Sequence, residues 1–428
     1  MKDIDWCRDN KISIKLKYYR RGRLSCANVH VDLKNMKKNI KKYVKKLYML
    51  MLRFPMSLVK IKENKVVFVN YQGKGYGDNP KYIANELRNN PNIDLVWLLR
   101  SDINNRGWIP KNVRVAEYGS FSGLWEMATA KVWISNCRLD FNPFKKKKQY
   151  YIQTWHGDIG LKKAEADSET SLSEKYVRLA KNDSKMIDLF IGGNQWFSNV
   201  IKRAYWYSGK IEEIGTPRRD IFYNYSIEDI KKIKMDLGVN INEKLFLYAP
   251  TFRKKQDYES FSVYGLDFER VKKALEKRFG GTWRGLVRLH PNVSEYNEQL
   301  RIPESVIDVT NYPDMQELLL ISDCCITDYS SAIFDFAVTG KIGFIYAEDI
   351  EEYEKDRGML FAFSETPFAC GRSNNEIENI ILNFNDNDYK YRNKMFYSEK
   401  IGLYDDGNAS KHIADVICKV CLLPNNNL

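Results

Sequence analysis

Short apolar runs alternate along most of the chain with segments in which apolar residues recur every three or four positions. Buried strands are predicted for the runs at 66–69, 94–99, 132–135, 189–191, 245–248, 285–289, 324–327 and 342–346. Amphipathic helices are predicted for the periodic segments at 80–87, 121–130, 228–237, 315–321 and 408–421. Strand and helix patterns that follow one another in this way predict an α/β protein with parallel sheets.

The strand and helix patterns fall into two series, separated by the helical segment that ends at Gly238. A chain of 428 residues is long for one domain and suits two, each with its own core. We therefore predict an N-terminal extension at 1–62, a first Rossmann-like domain at 63–237 and a second one at 238–428.

The N-terminal extension carries most of the excess charge. The net charge is +13, and the segment from Lys34 to Lys65, with eleven Lys or Arg and one acid, contributes +10. Residues 33–54 have one apolar stripe, flanked by Lys37, Lys38, Lys41, Lys42, Lys45 and Lys46. Such a helix suits an anionic membrane surface, or it packs on its own domain with the lysines in water. The rest of the chain is near neutral, which argues against a nucleic-acid partner.

Composition excludes several other classes. No apolar run approaches the length of a membrane span, and we expect no cleaved signal peptide. The eight cysteines are scattered, as in a reduced cytosolic protein, and the lone CxxC at 418–421 has no second pair to complete a zinc site. The spacings typical of zinc sites, P-loops and esterase elbows do not occur, so no metal is predicted.

Polar motifs follow the predicted strands where each strand ends. His156, Arg253, His290 and the turn at 327–331 all occupy such positions. In parallel sheets these ends face the ligand cleft, and a histidine there can take a proton from a hydroxyl near neutral pH. The turn with Ser330 and Ser331 starts a helix, which suits phosphate binding or is only a capping turn.

An ordered set of motifs resembles a known family. The motifs are Gln153-Thr154-Trp155-His156-Gly157, Gly215-Thr216-Pro217-Arg218-Arg219-Asp220, Tyr248-Ala249-Pro250-Thr251-Phe252-Arg253, Arg288-Leu289-His290-Pro291, Ile326-Thr327-Asp328-Tyr329-Ser330-Ser331, Arg357-Gly358 and Asp406-Gly407-Asn408-Ala409-Ser410. Together they resemble the CDP-glycerol glycerophosphotransferases, the teichoic acid glycerol- and ribitol-phosphate transferases. The resemblance covers about residues 65–420.

The resemblance implies a GT-B fold, two Rossmann-like domains that face a central cleft. It implies transfer of a polyol phosphate from CDP-glycerol or CDP-ribitol to a hydroxyl of a lipid-linked or polymeric acceptor, with release of CMP and no bound cofactor. By resemblance His156 is the general base and His290 binds or stabilises the reacting phosphate. The donor would be held by Ser330, Ser331, Arg357, Arg253, Thr251, Asn408 and Ser410.

The resemblance also implies a peripheral location at the inner face of the cytoplasmic membrane, with the 33–54 helix as anchor. Asp158 departs from the family pattern, and we expect it to alter acceptor specificity. Two other hypotheses stay open: a GT-B glycosyltransferase that uses a nucleotide sugar, and an inactive assembly protein at the membrane surface. The sequence leaves open glycerol or ribitol, primase or polymerase, wall teichoic acid or capsule, and the oligomeric state.

Overall fold

The computed structural model describes residues 55–103, 107–140, 143–251, 265–289, 302–350 and 359–422, and the backbone of three strands nearer the N-terminus. Residues 1–60 and 61–428 form two separate compact units. The first unit contains an antiparallel sheet of β1 (Ile4–Trp6), β2 (Lys11–Arg20) and β3 (Arg23–Asp32). The predicted basic helix at 33–54, with its six lysines, lies outside the described residues.

The second unit begins with a parallel sheet. Its strands are β4 (Lys62–Val69), β5 (Asp94–Leu99), β6 (Arg114–Glu117), β7 (Ala130–Ser135), β8 (Tyr150–Gln153), β9 (Leu189–Gly192) and β10 (Lys210–Glu213), in the order β10-β9-β8-β7-β4-β5-β6. Its helices are α1 (Asp78–Leu87), α2 (Phe121–Thr129), α3 (Glu174–Ser184) and α4 (Gln195–Ala204). The central strands are buried on both faces, which is why they read as unbroken apolar runs in the sequence.

Helix α5 (Ile227–Asp236) leads to a second parallel sheet. Its strands are β11 (Lys244–Tyr248), β12 (Trp283–Val287), β13 (Val306–Asp308), β14 (Cys324–Thr327), β15 (Ile342–Tyr346) and β16 (Ala369–Gly371), in the order β13-β12-β11-β14-β15-β16. The helices of this part are α6 (Phe268–Phe279), α7 (Met315–Ile321), α8 (Ala332–Ala337), α9 (Asn374–Leu382) and α10 (Asp386–Met395). Two sheets of this kind confirm the predicted α/β fold of GT-B type.

The last helix, α11 (Ala409–Leu422), returns to the first sheet. Its buried residues Ile413 and Ile417 share a core with Val66 and Val132 of β4 and β7. The apolar face of α11 therefore covers the first sheet, although the sequence places this helix in the second domain. The proposed division at residues 237 and 238 stays a prediction, and we propose that α11 belongs with the first domain.

Strand register brings the polar motifs together at the strand ends. Val69, Ser135 and Gln153 are paired across β4, β7 and β8, so the three loops that follow leave the first sheet side by side. Tyr248 is likewise paired with Val287 on one side and Ile326 on the other. In each sheet the first strands are added on one side of the central strand and the later strands on its other side. Open α/β sheets bind ligands at the point where the strand order reverses in this way.

Candidate active site

A cavity of about 650 Å³ lies between the carboxyl ends of the two sheets. Its walls come from the loops after β4 and β8 of the first sheet and from the loops after β11, β12 and β14 of the second. The polar and charged residues that line it include Asn70, Tyr71, Lys74, Asp78, His156, Lys162, Lys163, Thr251, Arg288, Gln316, Ser330 and Ser331. The structure therefore brings together four of the predicted site residues: His156, Thr251, Ser330 and Ser331.

His156 occupies the first-sheet wall of this cavity. Its Nδ1 lies 2.6 Å from the main-chain oxygen of Asn136, at the end of β7. A carbonyl oxygen can only accept, so Nδ1 carries the proton and Nε2 keeps a free lone pair. The imidazole stacks on Trp155 at 4.7 Å and meets the ring of Tyr71 at 5.3 Å. These contacts fix the tautomer and the orientation that a general base needs.

The backbone beneath the imidazole is strained and firmly held. Trp155 has a φ of +52°, a left-handed conformation that is uncommon for a bulky residue. Its N–H donates to Gln153 at 3.0 Å, and its carbonyl accepts from Asn79 at 2.9 Å. The guanidinium of Arg138 lies 5.5 Å from the indole ring. Several independent contacts thus hold a conformation that would otherwise relax, and they aim His156 into the cavity.

Burial lowers the pKa of His156, an effect that the bond to the Asn136 carbonyl and the charge of Asp78 only partly oppose. A lowered pKa keeps the imidazole neutral at physiological pH. Neutral imidazole with a free Nε2 can accept a proton, as general base catalysis requires.

The second-sheet wall faces His156 with two serine hydroxyls. A Cβ atom added to Gly157 would lie 3.6 Å from Oγ of Ser331, so the two motifs approach each other closely. Ser331 precedes α8, but its side chain makes no capping hydrogen bond to that helix. The carboxylate of Asp328 accepts from the N–H of Thr251 at 2.9 Å and from its hydroxyl at 3.0 Å. Asp328 therefore holds the loops after β11 and β14 together.

The charge of the cavity favours an anion. Among the described residues that line it, four side chains are cationic, Lys74, Lys162, Lys163 and Arg288, and one, Asp78, is a carboxylate. That carboxylate is already engaged, since it accepts from the hydroxyl of Tyr71 at 2.6 Å. Arg288 was not among the predicted site residues, although it belongs to a quoted motif and follows β12 directly.

A buried ionic network joins the two halves of the fold beside the cavity. Arg218 forms a bidentate pair with Asp335 of α8, at 2.6 and 3.1 Å. Arg219 contacts Asp158 closely and Asp405 at 2.9 Å. All five side chains are buried. Residues from the first sheet, the second sheet and the C-terminal segment therefore depend on one another for charge balance.

Asp158 has a different place from the one that the sequence suggested. Its carboxylate accepts from Asn194 at 2.8 Å and from Thr216 at 2.9 Å, besides the two arginines. The side chain is buried and is not among those that line the cavity. The expectation that it alters acceptor specificity is not supported, because its oxygens are occupied by partners within the protein.

A second ionic contact joins α1 to the start of α7. Nζ of Lys81 lies 2.5 Å from Asp314 and 2.6 Å from Glu317, and the hydroxyl of Tyr82 donates to Asp314 at 3.0 Å. Although burial lowers the pKa of Lys81, the two carboxylates raise it above its ordinary value. Lys81 is therefore charged, and it links the two sheets on the side of the cavity that contains Pro313.

The remaining predicted site residues are His290, Arg253, Arg357, Asn408 and Ser410. His290, Arg253 and Arg357 lie outside the described residues. Asn408 and Ser410 belong to the start of α11, where the N–H of Ser410 donates to Asp220 at 2.6 Å. Neither lines the cavity, because this segment packs on the loop at 217–220. The described residues contain no group of side chains suited to a metal ion, and none of their helices is long and apolar enough to cross a membrane.

The fold and site define a GT-B protein whose interdomain cavity is cationic and carries a neutral histidine opposite two serines. The family model of CDP-glycerol:poly(glycerophosphate) glycerophosphotransferase matches residues 50–419. The chain belongs to this family.

Individual relatives agree with the family match. The chain is 29% identical over 377 residues to a teichoic acid poly(glycerol phosphate) polymerase of Staphylococcus epidermidis, covering 84% of this chain and 51% of that protein. It is 29% identical to the polymerase of the same description from Bacillus subtilis, covering 96% and 56%. The chain thus spans about half the length of these relatives. A solved structure of the wall teichoic acid polymerase TagF aligns with a TM-score of 0.74 and 28% identity, covering 90% of this chain and 98% of that one.

Proposed function

We propose that this chain transfers a polyol phosphate from a CDP-polyol to a hydroxyl of a polymeric acceptor and releases CMP. Glycerol phosphate is the polyol phosphate that we propose. The observation that carries the proposal is the placement of His156. A neutral imidazole with a free Nε2 lies across a cationic cavity from two serine hydroxyls, and its loop contacts theirs. Family membership and a structure of a TagF variant soaked with CDPG support the choice of donor.

In the proposed reaction Nε2 of His156 takes the proton of the acceptor hydroxyl. The hydroxyl oxygen forms a bond to the β-phosphorus of the CDP-polyol, and the bond from that phosphorus to the bridging oxygen breaks. CMP leaves with the bridging oxygen and its electron pair. Phosphoryl transfer of this kind depends on positioning and on neutralising charge, which the cations of the cavity supply.

The donor would lie on the second-sheet wall. Ser330, Ser331 and Thr251 line the cavity there, and we propose that they bind the pyrophosphate. We propose the same role for Arg253. We also propose that His290 acts at the reacting phosphate, because it lies two residues after Arg288, which lines the cavity. Arg357 precedes Met359, and Met359 forms a bridge with Lys162 of the cavity wall. We therefore propose that Arg357 also contacts the donor phosphates.

A donor panel tests the proposal directly. The full chain is incubated with CDP-glycerol, CDP-ribitol, a UDP-sugar and a GDP-sugar, each with an oligomeric glycerol-phosphate acceptor, and the product is examined by mass spectrometry. We expect CMP and an acceptor longer by one or more polyol phosphates. Transfer from a nucleotide sugar alone would replace the proposal with a glycosyltransferase. The variant with both Ser330→Ala and Ser331→Ala should weaken donor binding more than acceptor binding.

We further propose that the protein acts at the inner face of the cytoplasmic membrane on a lipid-linked acceptor. The basic, apolar-striped sequence at 33–54 supports this. Flotation with vesicles that contain anionic lipid should recover the protein, and replacing the six lysines of this segment by Gln should abolish recovery. Equal flotation of both proteins would exclude the segment as the anchor.

A further inference from the structure

Arg288 enters the cavity from the end of β12. Its N–H donates to the carbonyl of Tyr248 at 2.9 Å, which fixes the backbone against the neighbouring strand β11. Its side chain lines the cavity together with Thr251 and Ser330, which follow the next two strands of the same sheet. Arg288 is thus held by regular structure at the sheet edge that carries the proposed donor site.

The guanidinium of Arg288 lacks a partner within the described part of the chain. Its Nη1 is buried and donates no hydrogen bond there, and no carboxylate of the described residues is paired with the guanidinium. Asp314 is near enough to act on its charge, but that carboxylate already binds Lys81 and Tyr82. Burial lowers the pKa of Arg288, yet a guanidinium stays charged at neutral pH.

Among the described residues, the arginines that are fully buried are paired, whereas Arg288 is half-buried as a whole and has a buried, unpaired Nη1. Arg138 lies 3.1 Å from Asp183 and 3.2 Å from Glu165, and Arg218 and Arg219 share the carboxylates described above. A buried cation without a counterion costs free energy that the protein can recover only from a ligand. The ligand must be an anion, and guanidinium pairs with phosphate through two parallel hydrogen bonds.

We propose that Arg288 binds the phosphate of the CDP-polyol that undergoes attack. The inference rests on the proposed function and adds a residue to it. Tyr71 is also near enough to act on the charge of Arg288, and its ring lies 5.3 Å from that of His156. Arg288, Tyr71 and His156 line the same cavity, so the guanidinium and the proposed base can act on one phosphate, on which charge develops during transfer.

The test compares Arg288→Gln and Arg288→Lys with the control Arg284→Gln. Arg284 lies on the same strand, but its exposed side chain pairs with Glu243 at 3.1 Å. Calorimetric titration of the full chain uses CDP-glycerol, CMP and inorganic pyrophosphate as separate ligands. We expect Arg288→Gln to weaken CDP-glycerol binding on the order of 10- to 100-fold, Arg288→Lys to weaken it less, and CMP binding to change little in either.

Thermal unfolding of the unliganded proteins separates binding from a structural role. Removal of an unpaired buried cation should leave the melting temperature unchanged or raise it. A lower melting temperature for Arg288→Gln, with CDP-glycerol affinity unchanged, would overturn the inference. An unchanged donor affinity with a raised KM for the acceptor would also overturn it, because the phosphate would then be that of the acceptor.

The pyrophosphate titration keeps this inference distinct from the proposed function. If the wild-type chain binds no CDP-polyol, the proposed function fails. Equal pyrophosphate affinity of wild type and Arg288→Gln would then overturn the assignment of Arg288 as well, whereas a loss on the order of tenfold or more would sustain it as a phosphate site.

Discussion

Replacement of Asp158 by Asn should destabilise the protein without changing its choice of acceptor. The carboxylate accepts from Asn194 at 2.8 Å and Thr216 at 2.9 Å, lies 3.4 Å from Arg218, and lies closest to Arg219. Asparagine keeps the volume of the side chain but removes the charge. The amide nitrogen of asparagine would also face a guanidinium. Because both groups are hydrogen-bond donors, at least one hydrogen bond to the arginines is lost.

The size of the effect follows from the partners that remain. Removal of one member of a buried ion pair costs about 3–5 kcal/mol. Arg218 keeps Asp335 and Arg219 keeps Asp405, so we expect a smaller loss, about 2–3 kcal/mol. Unfolding of a unit of roughly 370 residues has an entropy near 0.8 kcal/mol/K, at about 2.1 cal/mol/K per residue. The melting temperature should therefore fall by about 3–4 °C.

The pH dependence of the loss has a definite sign. Burial alone would raise the pKa of Asp158, but Arg219 and Arg218 hold it below its ordinary value. A carboxylate with a depressed folded pKa contributes stability above its unfolded pKa of about 3.9 and loses it as the pH falls through the folded pKa. The difference between wild type and variant should therefore be constant from about pH 6 to 8 and close only below about pH 4.

The assay is thermal unfolding between pH 6 and 8, combined with the acceptor preference of the folded variant. Asp102→Asn serves as the control, because Asp102 pairs with Arg100 at 3.0 Å in an exposed position, where the loss is at most about 1 kcal/mol. An unchanged melting temperature for Asp158→Asn together with an altered acceptor preference would refute the reasoning. Asp158 would then be the specificity residue that the sequence suggested.

Three further predictions concern the ion pairs of Lys81, the proposed base His156 and the packing of the buried ionic network. Lys81→Met should cost about 3 kcal/mol in denaturant unfolding, because the buried carboxylate of Asp314 loses its counterion; a loss below about 1 kcal/mol would contradict the pairing. The acid limb of kcat/KM for CMP release should have its midpoint below about 6.5, because burial lowers the pKa of His156; a midpoint at or above that value would contradict its role as base. Gly193→Ala should lower the melting temperature strongly, since its Cβ would overlap oxygen atoms of Thr216 and Asp158 in the network. Gly160→Ala should not, because the space around Gly160 is open. Equal melting temperatures of the two variants would contradict the packing.

Local patterns were sufficient to predict the fold. The strand at Asp94–Leu99 and the helix at Met315–Ile321 have the bounds that the sequence predicted, since each is a continuous apolar run or a clear helical stripe with turn residues at its ends. The position of His156 at a strand end was predicted for the same reason, because the end of an apolar run marks where a parallel strand reaches the cleft.

Contacts between distant segments could not be predicted in this way. The environment of Asp158 depends on arginines about sixty residues away, and that of Arg288 depends on what Asp314 already binds. The apolar face of α11 is visible in the sequence, but nothing local says which sheet it covers. One clue was available: Asp335 interrupts the apolar start of α8, and a charge in such a place indicates a buried partner.

The most direct test of the account is release of CMP from CDP-glycerol by the wild-type chain and by His156→Ala, in the presence of an oligomeric glycerol-phosphate acceptor. Circular dichroism and CDP-glycerol titration verify that the variant folds and still binds the donor. We predict that the wild type releases CMP and lengthens the acceptor, and that the variant binds the donor but loses release by at least about 100-fold. Undiminished release by the folded variant would contradict the assignment of His156 as the base.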